Sequence, residues 1–280
     1  MKNNTALIAI LILLLINSLA CAQTTLPTLE LGLKAGGTFT SGNTTVPAQD
    51  LGSNGKIPEL NNKQNGIGTG YTGGLWVRRN FSGLFLQTGA TYNRYVLNQK
   101  TNTTLDVKAL GTLAGELVPA AFTNILQALP VGQLSATLDI NTISTLQTVS
   151  VPVLIGKRFA RERIRLYAGP SFWFVTKAEV IRDVTGQVNP NANIPQLANA
   201  FPLSSTGTTD LLTDAAGILR VKPFTYALEV GAGVTFFRWL DLDLRVTAPV
   251  GGIYKNKDIK GLGGAAVVTL GYRIISTQSR

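Results

Sequence analysis

Eight segments of this chain alternate apolar residues with small or polar ones at a period of two, and beyond residue 22 no apolar run approaches the roughly 20 residues that a membrane-spanning helix needs. The segments are Leu29–Phe39, Tyr71–Arg78, Leu84–Tyr92, Val149–Ile155, Ile164–Phe174, Tyr226–Phe236, Leu240–Ala248 and Ala266–Ile274. Leu240–Ala248 is the clearest: Leu240, Leu242, Leu244, Val246 and Ala248 fall on one face, and Asp241, Asp243, Arg245 and Thr247 on the other. Charged residues make up only 14% of the chain, against about 25% in an average soluble protein. Mean hydropathy is +0.19. A mildly hydrophobic chain without hydrophobic helices must spread its apolar surface over the face of a sheet.

Alternation alone does not say which face is wet, because a soluble lipocalin-like barrel also alternates, with its apolar face inward. Three features point to lipid outside. The non-apolar face is rich in glycine (Gly32, Gly36, Gly74, Gly89, Gly156, Gly169, Gly231, Gly233 and Gly271), which suits a narrow interior better than a solvated exterior. Aromatic residues gather at segment ends: Phe81, Phe159, Phe236, Phe237, Trp239 and Tyr272. Rings of that kind favour the depth of the lipid headgroups. The apolar face is aliphatic and nearly free of charge, which lipid requires and water would punish by aggregation.

The connections alternate in length. Residues 79–83, 159–163 and 237–239 are tight, whereas 41–69, 98–145, 176–222 and 250–260 are long. This is the rhythm of an up-and-down barrel with turns on the periplasmic side and loops outside. It predicts an all-β, eight-stranded antiparallel transmembrane barrel with both termini periplasmic. Val118–Leu129 and Asp210–Leu219 carry near-helical spacing and are expected as short helices within the outer loops.

Lys2 followed by the apolar run 6–16 and then Ala20-Cys21-Ala22 reads as a signal peptide over 1–22, with a barrel domain over 23–280. Acylation of Cys21 is the alternative. Cys21 is the only cysteine and there is no histidine, so disulfides and His-based catalysis or metal binding are excluded.

Leu31-Gly-Leu-Lys-Ala-Gly-Gly, Val149-Ser-Val-Pro-Val-Leu-Ile-Gly-Lys, Tyr167-Ala-Gly-Pro-Ser, Val230-Gly-Ala-Gly-Val and Leu270-Gly-Tyr-Arg, in this order, resemble the PorT-like outer-membrane β-barrel proteins of Bacteroidetes. The resemblance runs from about Leu29 to Ile274, through strands and not loops. It implies an eight-stranded outer-membrane barrel, in some members assisting protein secretion, with no catalytic motif. One departure is the end of the chain, which is not the aromatic residue that outer-membrane assembly often reads.

The candidate site is the charge on the inward face: Glu30, Lys34, Arg78, Arg165, Glu229, Asp241, Asp243, Arg245 and Arg273. Asp241 and Asp243 could form a metal site or an acid–base pair, but with several arginines on the same face an ion-pair network that fills the lumen is expected. An eight-stranded barrel is just wide enough for its side chains, so no open pore is expected. No cofactor, metal or enzymatic activity is expected either. The net charge of +10 invites nucleic-acid binding, but the excess sits at strand ends and turns. Arg79, Lys157, Arg158, Arg161, Arg163 and Arg238 are assigned to the periplasmic rim, and Lys255, Lys257 and Lys260 to the outer one, facing lipid and lipopolysaccharide. The expected role is structural or accessory, with secretion or envelope proteins as partners. Binding or adhesion through the outer loops is the alternative.

Overall fold

The computed structural model describes residues 29–50, 56–81, 84–106, 135–159, 163–189, 201–213, 220–237, 239–261 and 264–277. Eight strands form its frame: β1 (Leu29–Ser41), β2 (Gly68–Asn80), β3 (Leu84–Asp106), β4 (Ser135–Phe159), β5 (Ile164–Val188), β6 (Phe224–Phe236), β7 (Leu240–Pro249) and β8 (Gly264–Thr277). Each pairs antiparallel with the next in the chain. β8 then closes on β1, from Thr277 opposite Leu29 to Gly264 opposite Ser41. The ring leaves none of the eight without a partner on either side, which is the condition for strands to cross lipid.

The period of two sets the two faces. In β7, Asp241, Asp243, Arg245 and Thr247 are buried, whereas Leu242, Leu244 and Val246 are exposed. β6 does the same, with Glu229 at 2% exposure between Leu228 at 56% and Val230 at 61%. Exposed aliphatic side chains and buried ionic ones invert the order of a soluble protein, and only a lipid surround makes this stable.

Exposed aromatics mark two levels. Phe81, Phe159, Phe237, Trp239 and Tyr272 ring the end that carries the tight turns. A second ring comprises Phe39, Tyr71, Phe172, Phe174, Phe224 and Tyr226. Within it Phe174 and Phe224 lie 5.3 Å apart. In the first, Trp239 and Tyr272 lie 5.5 Å apart. β6 runs from Tyr226 to Phe236 between the two levels. At about 3.4 Å per residue and a tilt near 40°, that separation is about 26 Å in height. The apolar band of an outer-membrane barrel is about 25 Å tall.

The turn end holds the strand termini near Leu29 and Thr277 together with the β2–β3, β4–β5 and β6–β7 connections. The Phe81 amide donates to the Leu84 carbonyl at 2.8 Å. Phe237 takes a φ of 48°, the left-handed conformation of a tight turn.

The other end differs from the sequence reading. β4 and β5 each have 25 residues and β3 has 23, far more than the 9–11 that span lipid. Much of the expected loops 98–145 and 176–222 is therefore strand. A further strand, Phe201–Asp210, pairs with the part of β5 farthest from the turn end. On the other side Leu60–Gln64 pairs with β3, and Thr44–Val46 with Leu60–Gln64. The parts of β3, β4 and β5 far from the turn end are rich in Thr, Val and Ile, which favour strands. They lack the apolar–polar contrast because neither face meets lipid. Asp210, where a helix was expected to begin, ends a strand. Its carboxylate accepts the Leu212 amide at 2.8 Å, which closes a turn and holds the Asp210 carboxyl below its ordinary range. The remainder of that expected helix, 214–219, and all of Val118–Leu129 lie outside the described residues, as does 1–28.

Candidate functional site

The inward charges form two polar layers, stacked along the barrel axis. The layer nearest the turn end centres on two carboxylates. Glu30 on β1 pairs with Arg78 on β2 at 2.8 Å, Arg158 on β4 at 3.0 Å and Arg273 on β8 at 3.3 Å. Asp241 on β7 pairs with Arg78 at 3.1 Å and Arg165 on β5 at 2.7 Å. Arg165 also reaches Asp243 at 3.0 Å. Gln87 on β3 accepts from Arg78 Nε and Nη2 at 2.9 and 2.7 Å, and the Thr235 hydroxyl on β6 donates to Asp241 at 2.8 Å. Every one of the eight strands thus supplies at least one member.

The second layer holds Arg245, which pairs with Glu229 at 3.2 Å. Its guanidinium also donates to Asn93 at 3.4 Å. The Asn93 carboxamide accepts from the Thr72 hydroxyl at 2.7 Å and donates to Ser150 at 2.9 Å. Lys34, 8% exposed, lies on the same inward face.

Arg78 and Arg165 are among the largest fully buried side chains described. Ions taken out of water are tolerated only when paired and hydrogen-bonded, so the pairing is a condition of burying them. Arg78 is further covered by the Trp76 ring, 4.5 Å from its guanidinium carbon. Glycine makes the room. A Cβ on Gly233 would lie 2.6 Å from Arg165 Nη2, and one on Gly231 would lie 2.6 Å from the Tyr167 ring. At Gly231 and Gly233 glycine thus leaves room for large side chains that cross the lumen, whereas at Gly36, Gly89 and Gly169 the added carbon would meet the backbone of the neighbouring strand.

All nine residues proposed from sequence lie on this face. Arg158 was not among them: the sequence reading placed it at the headgroup rim, and the structure overturns that. It is 7% exposed and donates to Glu30 and Asn80. Parity could have found it, since Gly156 and Arg158 share a face opposite Ile155 and Lys157. Gln87, Asn93 and Thr235 were also missed. As neutral residues they carry no charge signal.

Asp241 and Asp243 both direct oxygens at Arg165, which leaves them poorly disposed for a metal or a shared proton. Among the described residues no group of three or more side chains could hold a metal ion. Above the second layer the lumen turns apolar, with Tyr95 and Trp173 stacked 5.2 Å apart over Ala227, Ala265 and Val267.

The model of the outer membrane protein beta-barrel domain matches residues 21–255. No curated protein matches the chain. Among solved structures, it is similar to Ail, the attachment invasion locus protein of Yersinia pestis, at 10% identity and a TM-score of 0.28, over 88% of this chain and 99% of that one. Neisserial surface protein A matches at 10% identity and a TM-score of 0.27, over 87% of this chain and 96% of that one. Likeness at this level carries no role across.

Proposed function

The chain belongs to the outer membrane protein beta-barrel domain family, and from that premise we propose that it serves the bacterial outer membrane as a plugged, non-conducting and non-enzymatic barrel with a structural or accessory role. The network that joins all eight strands carries this reading. A water-filled channel would have to run past Glu30, Arg78, Arg158, Arg165 and Asp241, all buried and mutually paired. In planar bilayers the expected result is no stepwise conductance on the scale of a general porin. Sustained porin-sized steps would overturn the proposal.

The same reading places the tight turns and the strand termini in the periplasm, and a signal peptide cleaved before Gln23. Kinship with the PorT-like barrels of Bacteroidetes is its narrower form, supported by the motif order from Leu31 to Arg273. Partners are then envelope or secretion proteins that meet the barrel from the periplasm or within the membrane.

A second reading is binding or adhesion at the cell surface. The overhang of β3, β4 and β5 favours it, because an ordered sheet beyond the lipid gives a partner a fixed surface. Crosslinking in intact cells separates the two. Periplasmic or integral partners support the accessory role. Surface ligands lost when 98–145 or 176–222 is trimmed support adhesion. Lys255 and Lys257 are exposed near the outer rim, and we assign them, with Lys260, to lipopolysaccharide phosphates. Changing all three to Ala should weaken lipid retention, and unchanged retention would remove that assignment.

A further inference from the structure

The second polar layer carries one positive charge too many. Arg245 is balanced by Glu229 at 3.2 Å. Lys34 is more than nine-tenths buried, and among the described residues its ammonium has no ion pair and no hydrogen bond. Its neighbours explain why. The inward positions around it are Gly32 and Gly36 on β1, Gly74 on β2 and Gly271 on β8, and none has a side chain to offer. Glu229 and Asp243 are the carboxylates that act on it, but each is held by an arginine, Glu229 by Arg245 and Asp243 by Arg165. The first layer has no negative charge to spare. Glu30, Asp241 and Asp243 already meet Arg78, Arg165 and Arg273, without counting Arg158.

A charge taken out of water needs a partner. Loss of the Lys34 proton would remove the charge but leave amine N–H groups without an acceptor. Water would supply acceptors but leave the charge. An anion supplies both. The atom is also open to one. Nε of Arg245 and Nε of Arg165 are unpaired but sealed in, whereas Lys34 Nζ is unpaired and within reach of a water-sized sphere.

We propose that the lumen holds one small inorganic anion, of the halide class, against the Lys34 ammonium. The excess is a single charge, so the ion is monovalent. The apolar cluster above and the arginine layer below keep it small. Arg245, the charge that acts most strongly on the Lys34 ammonium, adds to the positive potential there. The ion is then a structural member of the second layer, enclosed as the barrel closes. The proposal goes beyond the structural or accessory role and does not rest on it.

The test uses the full barrel, refolded and crystallised in sodium bromide, with diffraction recorded at the bromine edge. An anomalous peak in contact with Lys34 Nζ is expected, and Lys34→Met should abolish it. Lys34→Gln serves the same purpose if the methionine variant does not fold. In phospholipid vesicles, with bromide at about ten times its dissociation constant, the urea midpoint should stand about 0.7 M above that in equimolar gluconate. The Lys34 variant should show no such gain. The proposal is overturned if bromide appears only at the rims, if water alone occupies the position at Nζ, or if the peak persists without Lys34. Equal gains from bromide in the parent and the variant would also overturn it.

Discussion

Replacing Arg165 with methionine removes the guanidinium but keeps most of the volume. It deletes the ion pairs to Asp241 at 2.7 Å and to Asp243 at 3.0 Å. The two carboxylates are left in unequal positions. Asp241 keeps Arg78 at 3.1 Å and the Thr235 hydroxyl at 2.8 Å. Asp243 has no second ion pair among the described residues, and its side chain is only 12% exposed. The loss is thus dominated by one stranded carboxylate. Removing one partner of a buried pair is destabilising by about 3–5 kcal/mol, and the residual exposure of Asp243 puts this case near 3. Urea unfolding in phospholipid vesicles reads it. With a slope of about 2 kcal/mol per molar, the midpoint should fall by about 1.5 M. Adding Asp243→Asn should recover about half of that loss, because the stranded charge is then gone. A single variant within about 1 kcal/mol of the parent, or a double variant no better than the single, would refute the claim that the network stabilises the barrel.

On the outer face, Val230→Arg should be destabilising by about 2–4 kcal/mol and Leu84→Arg by at most about 1, because the first lies near mid-bilayer and the second at the rim; the same urea titration compares them. At Gly233, a valine must displace Arg165 or Asp243, for a loss of about 1–3 kcal/mol seen as reduced heat-resistant migration on gels. Gly207→Ala, where nothing lies within 4 Å of the added carbon, is the neutral control.

Parity was legible in the sequence wherever lipid lies on one face and charge on the other. Leu240–Ala248 could be assigned side chain by side chain, and β7 has those faces. Where lipid ends the contrast ends, so the halves of β3, β4 and β5 far from the turn end read as loops although their Thr, Val and Ile content favours strands. Arg158 reads as a rim residue because Lys157 and Phe159 flank it like a headgroup cluster, but its parity is that of the inward face. The ion partners were beyond reach for another reason. Glu30 meets Arg158 across 128 positions of sequence, and only the stagger of strands around a closed ring decides which inward residues share a level.

The closure of β8 on β1 also bears on how the barrel forms. The other seven pairings join strands that follow each other in the chain, and three of them turn within a few residues. The seam instead brings residue 30 beside residue 276. Loop closure of that length carries an entropy penalty of about 5 kcal/mol, against about 2 for a ten-residue hairpin. Hairpins can therefore assemble in sequence while the two ends of the chain meet late, and the rate at which the wall becomes continuous is set there. Glu30 and Arg273 face each other across that seam at 3.3 Å. The pair acts as a clasp, engaged only when the last edge has found the first.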